Sequence, residues 1–328
     1  MGETKGGLRA ALLTLAAMAT AAASACGSDD AGSPAASGPI ATSATPVTVA
    51  TTATTAVAPT PYYVSIGDSY AAGYEAGIGN TDNGFAYQVV DEAAALSHPL
   101  ELVNFGCGGA TTTSMVQSVG CTAEGLGPGA APYDGQTQLE AAETFLWEHP
   151  GEVGLITVSI GGNDVTTCAA TPDPVPCVTA AVESIETNVS ETMQRLRAAA
   201  GPDTLIVGTT YPDVILGEWL QGTPERQQLA ELSVTAFKQL INPALLTAYT
   251  GAGGTFVDVT AATGAYGPMT ELATLEPYGE IPVPVARVCE LTSYCAEHDI
   301  HPTPEGYRLI ADLVVDAYLS SMPGGAGG

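Results

Sequence analysis

The sequence predicts an α/β protein built on a parallel β-sheet of five strands. Short runs rich in β-branched and apolar residues are bounded by glycine, proline or polar turns, which is typical of strands. Longer segments of helical period separate these runs, and strands joined through helices form a parallel sheet that helices cover on both faces. Of the 328 residues, 45% are hydrophobic, which is enough for the core of one large domain.

The alternation of strands and helices begins at Pro61. The predicted strands cover residues 62–66, 100–105, 153–160, 204–209 and 255–259, and the predicted helices lie near residues 84–96, 136–147, 178–200, 224–248 and 303–321. The last helix has the clearest start, because Thr303 is suited to cap it and Pro304 to occupy its first turn. We therefore expect a single domain over residues 61–323, followed by a flexible tail over 324–328.

The N-terminus has the pattern of an export signal. Lys5 and Arg9 precede the apolar run ALLTLAAMATAAAS, and Ala23-Ser24-Ala25 is a small-residue cleavage site, which predicts a signal peptide over residues 1–25. The run is short and rich in alanine and threonine, which argues against a transmembrane helix. Cleavage after Ala25 would make Cys26 the first residue of the mature chain.

The stretch ASAC, which ends at Cys26, resembles the lipobox of bacterial lipoproteins, in which that cysteine carries a diacylglyceryl group. Ala23 stands where a large aliphatic residue is usual, and plain secretion would cut the same bond, so both fates stay open. Residues 27–60 are small, polar and interrupted by prolines, which predicts a disordered tether of roughly 30 Å over residues 26–60. We expect a membrane-anchored lipoprotein at the cell surface.

The charge of the chain limits its partners. With 8 basic and 35 acidic residues, the formal net charge is −27. A chain this acidic has no basic surface to neutralise the phosphates of nucleic acid, and it has no electrostatic attraction to anionic lipid. We expect membrane contact only through a lipid at Cys26, and we expect a monomer.

The cysteines also fit an exported protein. There are seven, and the six that remain after Cys26 fall into three groups of two that are close in sequence. An even number of cysteines in an exported chain indicates disulfides, although six cysteines allow 15 pairings. Zinc binding is the alternative, but the chain contains no C-x-x-C spacing that would favour it.

Unusual polar loops follow three of the predicted strands. They are Gly67-Asp68-Ser69, the segment from residue 104 to 111, and Gly161-Gly162-Asn163-Asp164. The carboxyl ends of parallel strands meet at one edge of a sheet, where open α/β sheets place their chemistry. A fourth segment, HDIHPTPEGY, places His301 just before the final helix. We expect these four segments to lie together.

The residue types in these loops match the needs of acyl transfer. A serine hydroxyl such as that of Ser69 is a weak nucleophile until an imidazole such as that of His301 removes its proton. The backbone N–H groups of Ser69 and Gly109 and the side-chain amide of Asn163 are suitable donors for an oxyanion. The alternative for Ser69 is a structural role as a helix N-cap. The neighbouring aspartates, Asp68 and Asp164, are expected to accept hydrogen bonds that organise the loops.

Four segments of the chain resemble the sequence blocks of the SGNH hydrolases, also called the GDSL lipase/esterase family. These are IGDSYAAGY, NFGCGGATT, IGGNDV and DIHPTPEG, and together they span most of residues 62–307. The resemblance implies a flavodoxin-like three-layer α/β/α fold. It implies Ser69 as the nucleophile, His301 as the base, and Ser69, Gly109 and Asn163 as oxyanion donors. No metal or organic cofactor is expected.

The cysteines resemble those of secreted lipases in this family. From this resemblance and the local spacing we predict the disulfides Cys107–Cys121, Cys168–Cys177 and Cys289–Cys295. One position departs from the family pattern. The usual acid lies three residues before the histidine, where this chain has His298, whereas Asp299 lies two residues before. Either the side chain of Asp299 or the backbone carbonyl of His298 is expected to orient His301.

The predicted function is hydrolysis of carboxylic acyl esters, of lipids in particular, through an acyl-enzyme. The alternatives are a carbohydrate deacetylase of the same fold and a non-catalytic surface module. Two tryptophans have structural interpretations as well. Trp147 lies on a helical stripe, which indicates packing, and Trp219 is expected either to line an acyl pocket or to pack in the core.

Overall fold

The computed structural model describes residues 59–322. The predicted signal peptide, nearly all of the tether over 26–60, Cys26 and the tail over 324–328 lie outside the described residues. Within the described part of the chain, no helix is both long and apolar enough to cross a membrane.

The centre of the domain is a parallel sheet of five strands, and each lies where the sequence predicts a strand. They are β1 (Tyr62–Gly67), β4 (Glu101–Asn104), β5 (Val153–Ser159), β6 (Leu205–Thr209) and β7 (Thr255–Val257). Their order across the sheet is β4-β1-β5-β6-β7. Two hairpins, which the sequence did not predict, supply the other strands, β2 (Tyr74–Glu75), β3 (Gly79–Asn80), β8 (Leu272–Leu275) and β9 (Gly279–Pro282).

Helices flank this sheet. In residues 59–322 the α-helices are α1 (Ser69–Ala72), α2 (Phe85–Ala95), α3 (Thr112–Gln117), α4 (Gln138–Glu148), α5 (Gly162–Thr166), α6 (Pro174–Ala200), α7 (Pro224–Ala236), α8 (Asn242–Gly251), α9 (Val259–Ala262), α10 (Val283–Leu291), α11 (Tyr294–Glu297) and α12 (Pro304–Ser321). Short 3-10 helices cover Ala123–Gly125, Thr167–Ala170 and Val214–Gln221. The prediction of an α/β fold with a five-stranded parallel sheet is confirmed.

The helix predicted over residues 224–248 is interrupted. A π-helical segment, Phe237–Ile241, separates α7 from α8. Such a segment follows from one extra residue in a helical turn, and π-bulges are often found at functional sites. The apolar period of the sequence did not reveal this interruption.

Local signals explain where the principal helices begin. The hydroxyl of Thr303 accepts a hydrogen bond from the N–H of Gly306, and Pro304 follows it in the first turn, as the sequence predicted. Helix α4 begins with a capping box in which Thr137 and Glu140 each bond the other's backbone N–H.

Strand β1 lies between β4 and β5 and pairs with both. Val64 pairs with Val103 of β4 on one side and with Ile156 of β5 on the other. Val64 and Ile156 are fully buried and belong to the main core between the sheet and the helices. Because β1 lies between β4 and β5, the loops that follow these three strands are neighbours.

The predicted disulfides are confirmed. Their Cα–Cα distances are 5.9, 5.6 and 5.1 Å, in the order Cys107–Cys121, Cys168–Cys177 and Cys289–Cys295. All six cysteines of the described residues are therefore oxidised, which rules out the alternative of zinc binding by their thiolates.

The two tryptophans have different environments. Trp147, next to the last residue of α4, is 63% exposed, so the prediction that it packs is wrong. Trp219 packs against a smaller apolar cluster that includes Leu216 and Val285. Of the two interpretations of Trp219, packing is therefore correct.

Candidate active site

Gly67, the last residue of β1, has no room for a side chain larger than hydrogen. Its φ is +157°, and a Cβ there would lie 2.2 Å from the carbonyl oxygen of Ser159. Asp68 follows as the N-cap of α1, accepting a hydrogen bond from the N–H of Tyr70 at 3.0 Å. The N-cap interpretation of Ser69 is therefore wrong. Because Asp68 performs the capping, the Ser69 hydroxyl has no capping role.

Ser69, His301 and Asp299 form a hydrogen-bonded chain. The Ser69 Oγ lies 2.8 Å from Nε2 of His301, and Nδ1 of His301 lies 2.5 Å from Oδ1 of Asp299. Of the two acceptors that the sequence left open, the Asp299 carboxylate is the one at the imidazole, and not the backbone carbonyl of His298. The arrangement of hydroxyl, imidazole and carboxylate is the one that activates a serine for nucleophilic attack.

The environment of His301 keeps its imidazole neutral and in place. Burial lowers the pKa of His301 below its ordinary value, and the nearby Asp299 carboxylate acts in the opposite direction. The neutral ring is the form that accepts a proton from serine. The ring of Tyr74 packs against the imidazole with 4.3 Å between ring centroids. Tyr70 donates to the carbonyl of Ile300 at 2.7 Å, which links α1 to the histidine loop.

The expected oxyanion donors belong to the loops that follow β1, β4 and β5. Among the described residues, no acceptor takes the backbone N–H of Ser69 or that of Gly109. The side-chain amide of Asn163 donates one hydrogen to the carbonyl of Ala110 at 2.8 Å, which leaves its second hydrogen available. This bond also ties the loop after β5 to the residue that follows Gly109. Asn163 and Ser69 line the same small cavity.

Two carboxylates connect the loops, as the sequence analysis expected. Asp68 accepts from the hydroxyl of Tyr211 at 2.7 Å, and burial raises its pKa to about 7. Asp164 accepts from both the N–H and the hydroxyl of Thr112, at 3.0 and 2.7 Å, and so joins the loop after β5 to the start of α3. Neither carboxylate contacts the Ser69 hydroxyl.

Two residues outside the sequence motifs, Gln138 and Tyr211, also hold this site together. The side-chain nitrogen of Gln138 lies 2.7 Å from the carbonyl oxygens of both Gly67 and Phe105, and so links the loops after β1 and β4. Tyr211, which follows β6, donates a hydrogen bond to the Asp68 carboxylate and holds it in place. These residues lie far from the recognisable motifs in the chain, so no local signal identified them.

Three concave regions adjoin one another near Ser69, and one of them contains Ser69 itself. The Ser69 pocket is a cavity of about 30 Å³ that includes Ser69, Asn163, Val165 and Tyr211. An apolar groove of about 260 Å³ runs between the start of α6 and the end of α7, and it shares Val165, Phe237 and Ile241 with the Ser69 pocket. A polar cleft of about 840 Å³ shares Thr166 and Ile300 with the Ser69 pocket.

Comparisons with solved structures found chains of similar fold. An acetyl xylan esterase from Geobacillus stearothermophilus is 15% identical over 79% of this chain and 94% of its own, with a TM-score of 0.44. The psychrotrophic esterase EstA from Pseudoalteromonas sp. is 12% identical over 79% and 99%, with a TM-score of 0.40. The aryl esterase of M. smegmatis is 11% identical over 80% and 100%, with a TM-score of 0.39. At these values the likeness says nothing about substrate.

A comparison with curated protein sequences found no match. The model of the GDSL-like Lipase/Acylhydrolase family matches residues 65–309, which is more than half of the chain and includes all four sequence blocks. The chain therefore belongs to the GDSL-like lipase/acylhydrolase family, the SGNH hydrolases, and is a carboxylic ester hydrolase.

Proposed function

We propose that this enzyme hydrolyses lipid esters whose acyl chains are long enough to occupy the apolar groove. The observation that carries this proposal is that Val165, Phe237 and Ile241 line both the groove and the Ser69 pocket, so the two adjoin. An acyl group attached to Ser69 therefore has an apolar path away from the reacting carbon. The transfer of that chain from water to the groove is favourable by about 0.8 kcal/mol for each methylene buried.

The proposed mechanism assigns one task to each group of the site. Ser69 attacks the ester carbonyl, while Nε2 of His301 takes its proton and then gives it to the leaving alcohol. The carboxylate of Asp299 holds Nδ1–H and stabilises the imidazolium. Water, activated by the same imidazole, then releases the acid from the acyl-enzyme.

The developing oxyanion is assigned to three donors. These are the backbone N–H groups of Ser69 and Gly109 and the second amide hydrogen of Asn163. Donors that are held in place before the reaction stabilise the transition state without reorganisation. The tie between Asn163 and Ala110 supports this assignment, because it brings the loops after β4 and β5 together beside Ser69.

The exposed rim of the groove supports an apolar substrate. Val175, Leu232 and Leu240 line it and are 57%, 44% and 41% exposed. Large apolar side chains that lie side by side at a surface are a feature of ligand-binding grooves. A carbohydrate deacetylase releases an acetyl group, which has little apolar surface to bury, so the groove favours the lipid ester.

Hydrolysis of p-nitrophenyl esters of graded acyl length tests the proposal. We expect kcat/KM to rise by up to about fourfold per methylene while the chain enters the groove, the factor equivalent to 0.8 kcal/mol. Leu240→Asn should flatten this rise and leave the acetate rate unchanged. Leu246→Asn is the matched control, because Leu246 is 43% exposed and does not line the groove. A preference for acetate in the wild-type enzyme would instead favour the deacetylase.

We also propose that the enzyme is anchored to a membrane through a lipid on Cys26, after removal of residues 1–25. Two or more acyl chains hold a protein firmly in a bilayer, whereas one chain is marginal. Cys26→Ser should therefore release the enzyme into the medium. Mass spectrometry of wild-type protein that is already soluble, with an unmodified N-terminus, would show plain secretion instead.

A further inference from the structure

We infer that the polar cleft binds the leaving alcohol of the substrate and that this alcohol is an uncharged polyol, such as glycerol or a sugar. The inference rests on the proposed function, because it divides the substrate between two subsites. The acyl chain occupies the apolar groove, and the alcohol occupies the neighbouring polar cleft, which shares Pro174, Leu229 and Leu232 with the groove.

The cleft begins beside the histidine loop, where the leaving alcohol receives its proton. In the proposed mechanism Nε2 of His301 protonates the leaving oxygen, so the alcohol must depart beside the histidine loop. Ile300 precedes His301 directly and lines both the Ser69 pocket and the cleft. His298, from the same loop, also lines the cleft. The cleft is therefore the concave surface that begins where the alcohol is released.

A buried carboxylate fixes the polar wall of the cleft. Glu218 is buried, and its Oε1 accepts from the hydroxyl of Tyr294 at 2.5 Å. Its Oε2 accepts from Nη1 of Arg226 at 2.9 Å. All three residues line the cleft. Because Glu218 is buried and bonded to Tyr294, its carboxylate fixes the position of the half-exposed Arg226 guanidinium.

Arg226 retains donors for a ligand. A guanidinium has five N–H groups, and in the described residues those on Nε and Nη2 of Arg226 have no acceptor. The imidazole of His298 likewise makes no hydrogen bond to the described part of the chain, and the amide of Gln228 faces the same cleft. The cleft therefore offers several donors and acceptors, as a ligand with several hydroxyl groups requires.

The charge of the cleft selects against a phosphate. Its ionised side chains are one guanidinium, of Arg226, and two carboxylates, of Glu218 and Glu225. Arg226 already pairs with Glu218, and the whole chain has a formal charge of −27. Moving an anionic head group from water to this net negative surface costs electrostatic free energy. An uncharged polyol does not incur this cost. Acylglycerols are therefore preferred to anionic lysophospholipids.

Substrates with one acyl chain and different alcohols test this inference. We expect kcat/KM for monolauroylglycerol to exceed that for lauroyl lysophosphatidic acid, an anionic lysophospholipid, by tenfold or more, with each measured below its micelle concentration. Arg226→Gln should lower the ratio of kcat/KM for monolauroylglycerol to that for p-nitrophenyl laurate by about tenfold, through KM. Arg287→Gln is the matched control, because Arg287 is exposed, pairs with Glu290 and lies outside the cleft.

A second variant keeps the test independent of folding. Arg226→Gln removes one partner of the buried Glu218 carboxylate. Glu225, in contrast, is exposed, so Glu225→Lys changes the charge of the cleft without touching the core. Glu225→Lys should raise the rate on the lysophospholipid relative to the acylglycerol. An unchanged ratio in both variants, or a wild-type preference for the lysophospholipid, would overturn the inference. The chain-length series with p-nitrophenyl esters tests the groove separately, since p-nitrophenol is not a polyol.

Discussion

Oδ1 of Asp299 accepts two hydrogen bonds from His301, one from the backbone N–H at 2.9 Å and one from Nδ1 of the ring at 2.5 Å. The residues are only two positions apart. Pro302 favours an extended backbone at His301, and in an extended segment side chains two residues apart point to the same side. The hydrogen bond from the backbone N–H of His301 turns the short Asp299 side chain along the loop toward the ring. An acid at the usual family position, three residues before the histidine, is therefore not needed.

Replacement of this carboxylate should abolish most of the activity. Asp299→Asn keeps the shape of the side chain but removes its charge and disturbs the tautomer of His301, and we expect kcat to fall by about 10⁴, the loss known for the triad aspartate of serine proteases. Ser69→Ala, measured beside it, should leave almost no activity. A folded Asp299→Asn enzyme that loses tenfold or less would show that another acceptor orients the imidazole.

The side-chain amide of Asn163 should act mainly on the chemical step. Asn163→Ala removes one proposed oxyanion donor, for which a loss of about 10²–10³ in kcat is expected, with little change in KM. Because the variant also loses the bond to Ala110, its thermal unfolding should be measured in parallel. A small change in kcat in a folded variant would assign the oxyanion to the backbone donors alone.

The pH dependence of kcat/KM should report the titration of His301. Protonation of the ring removes the base, and burial places the pKa of His301 below its ordinary value, so activity should persist below the pH at which an exposed histidine is half protonated. Asp299 raises this pKa, so in Asp299→Asn the acidic limb of the residual activity should move to lower pH. A shift to higher pH would mean that the limb belongs to another group.

A buried carboxyl outside the site should make stability depend on pH. Asp213 accepts from the hydroxyl of Ser233 at 2.8 Å, and burial raises its pKa from 3.8 to about 7. A raised carboxyl pKa means that the folded state binds the proton more tightly, so the free energy of unfolding should fall as pH rises from about 4 to about 7. Asp213→Asn cannot titrate, so chemical unfolding of this variant should show a smaller fall over that range. Equal slopes for the two proteins would contradict the assignment.

The strands and principal helices were predictable because each depends on a local pattern. The capping of α12 by Thr303 is an example, since the cap, the proline and the apolar stripe are adjacent in sequence. The role of Asp299 was not predictable in the same way, because it depends on a side-chain rotation that the loop decides. Gln138 and Tyr211 reach the site only through the fold, and the polar cleft is assembled from segments more than 50 residues apart, such as those of Thr166 and Glu218.

The π-helical segment Phe237–Ile241 has an evolutionary consequence. Loss of one residue there would restore a regular α-helix and change the wide turn between α7 and α8, because the π-turn accommodates one extra residue. Phe237 and Ile241 lie on both sides of that extra residue and border both the groove and the Ser69 pocket. A single-residue deletion would thus remodel the passage between the two while the sheet and its hydrogen-bonded serine remained intact. Changes in chain length at this point, and not only substitutions, offer relatives a short route to a different acyl preference.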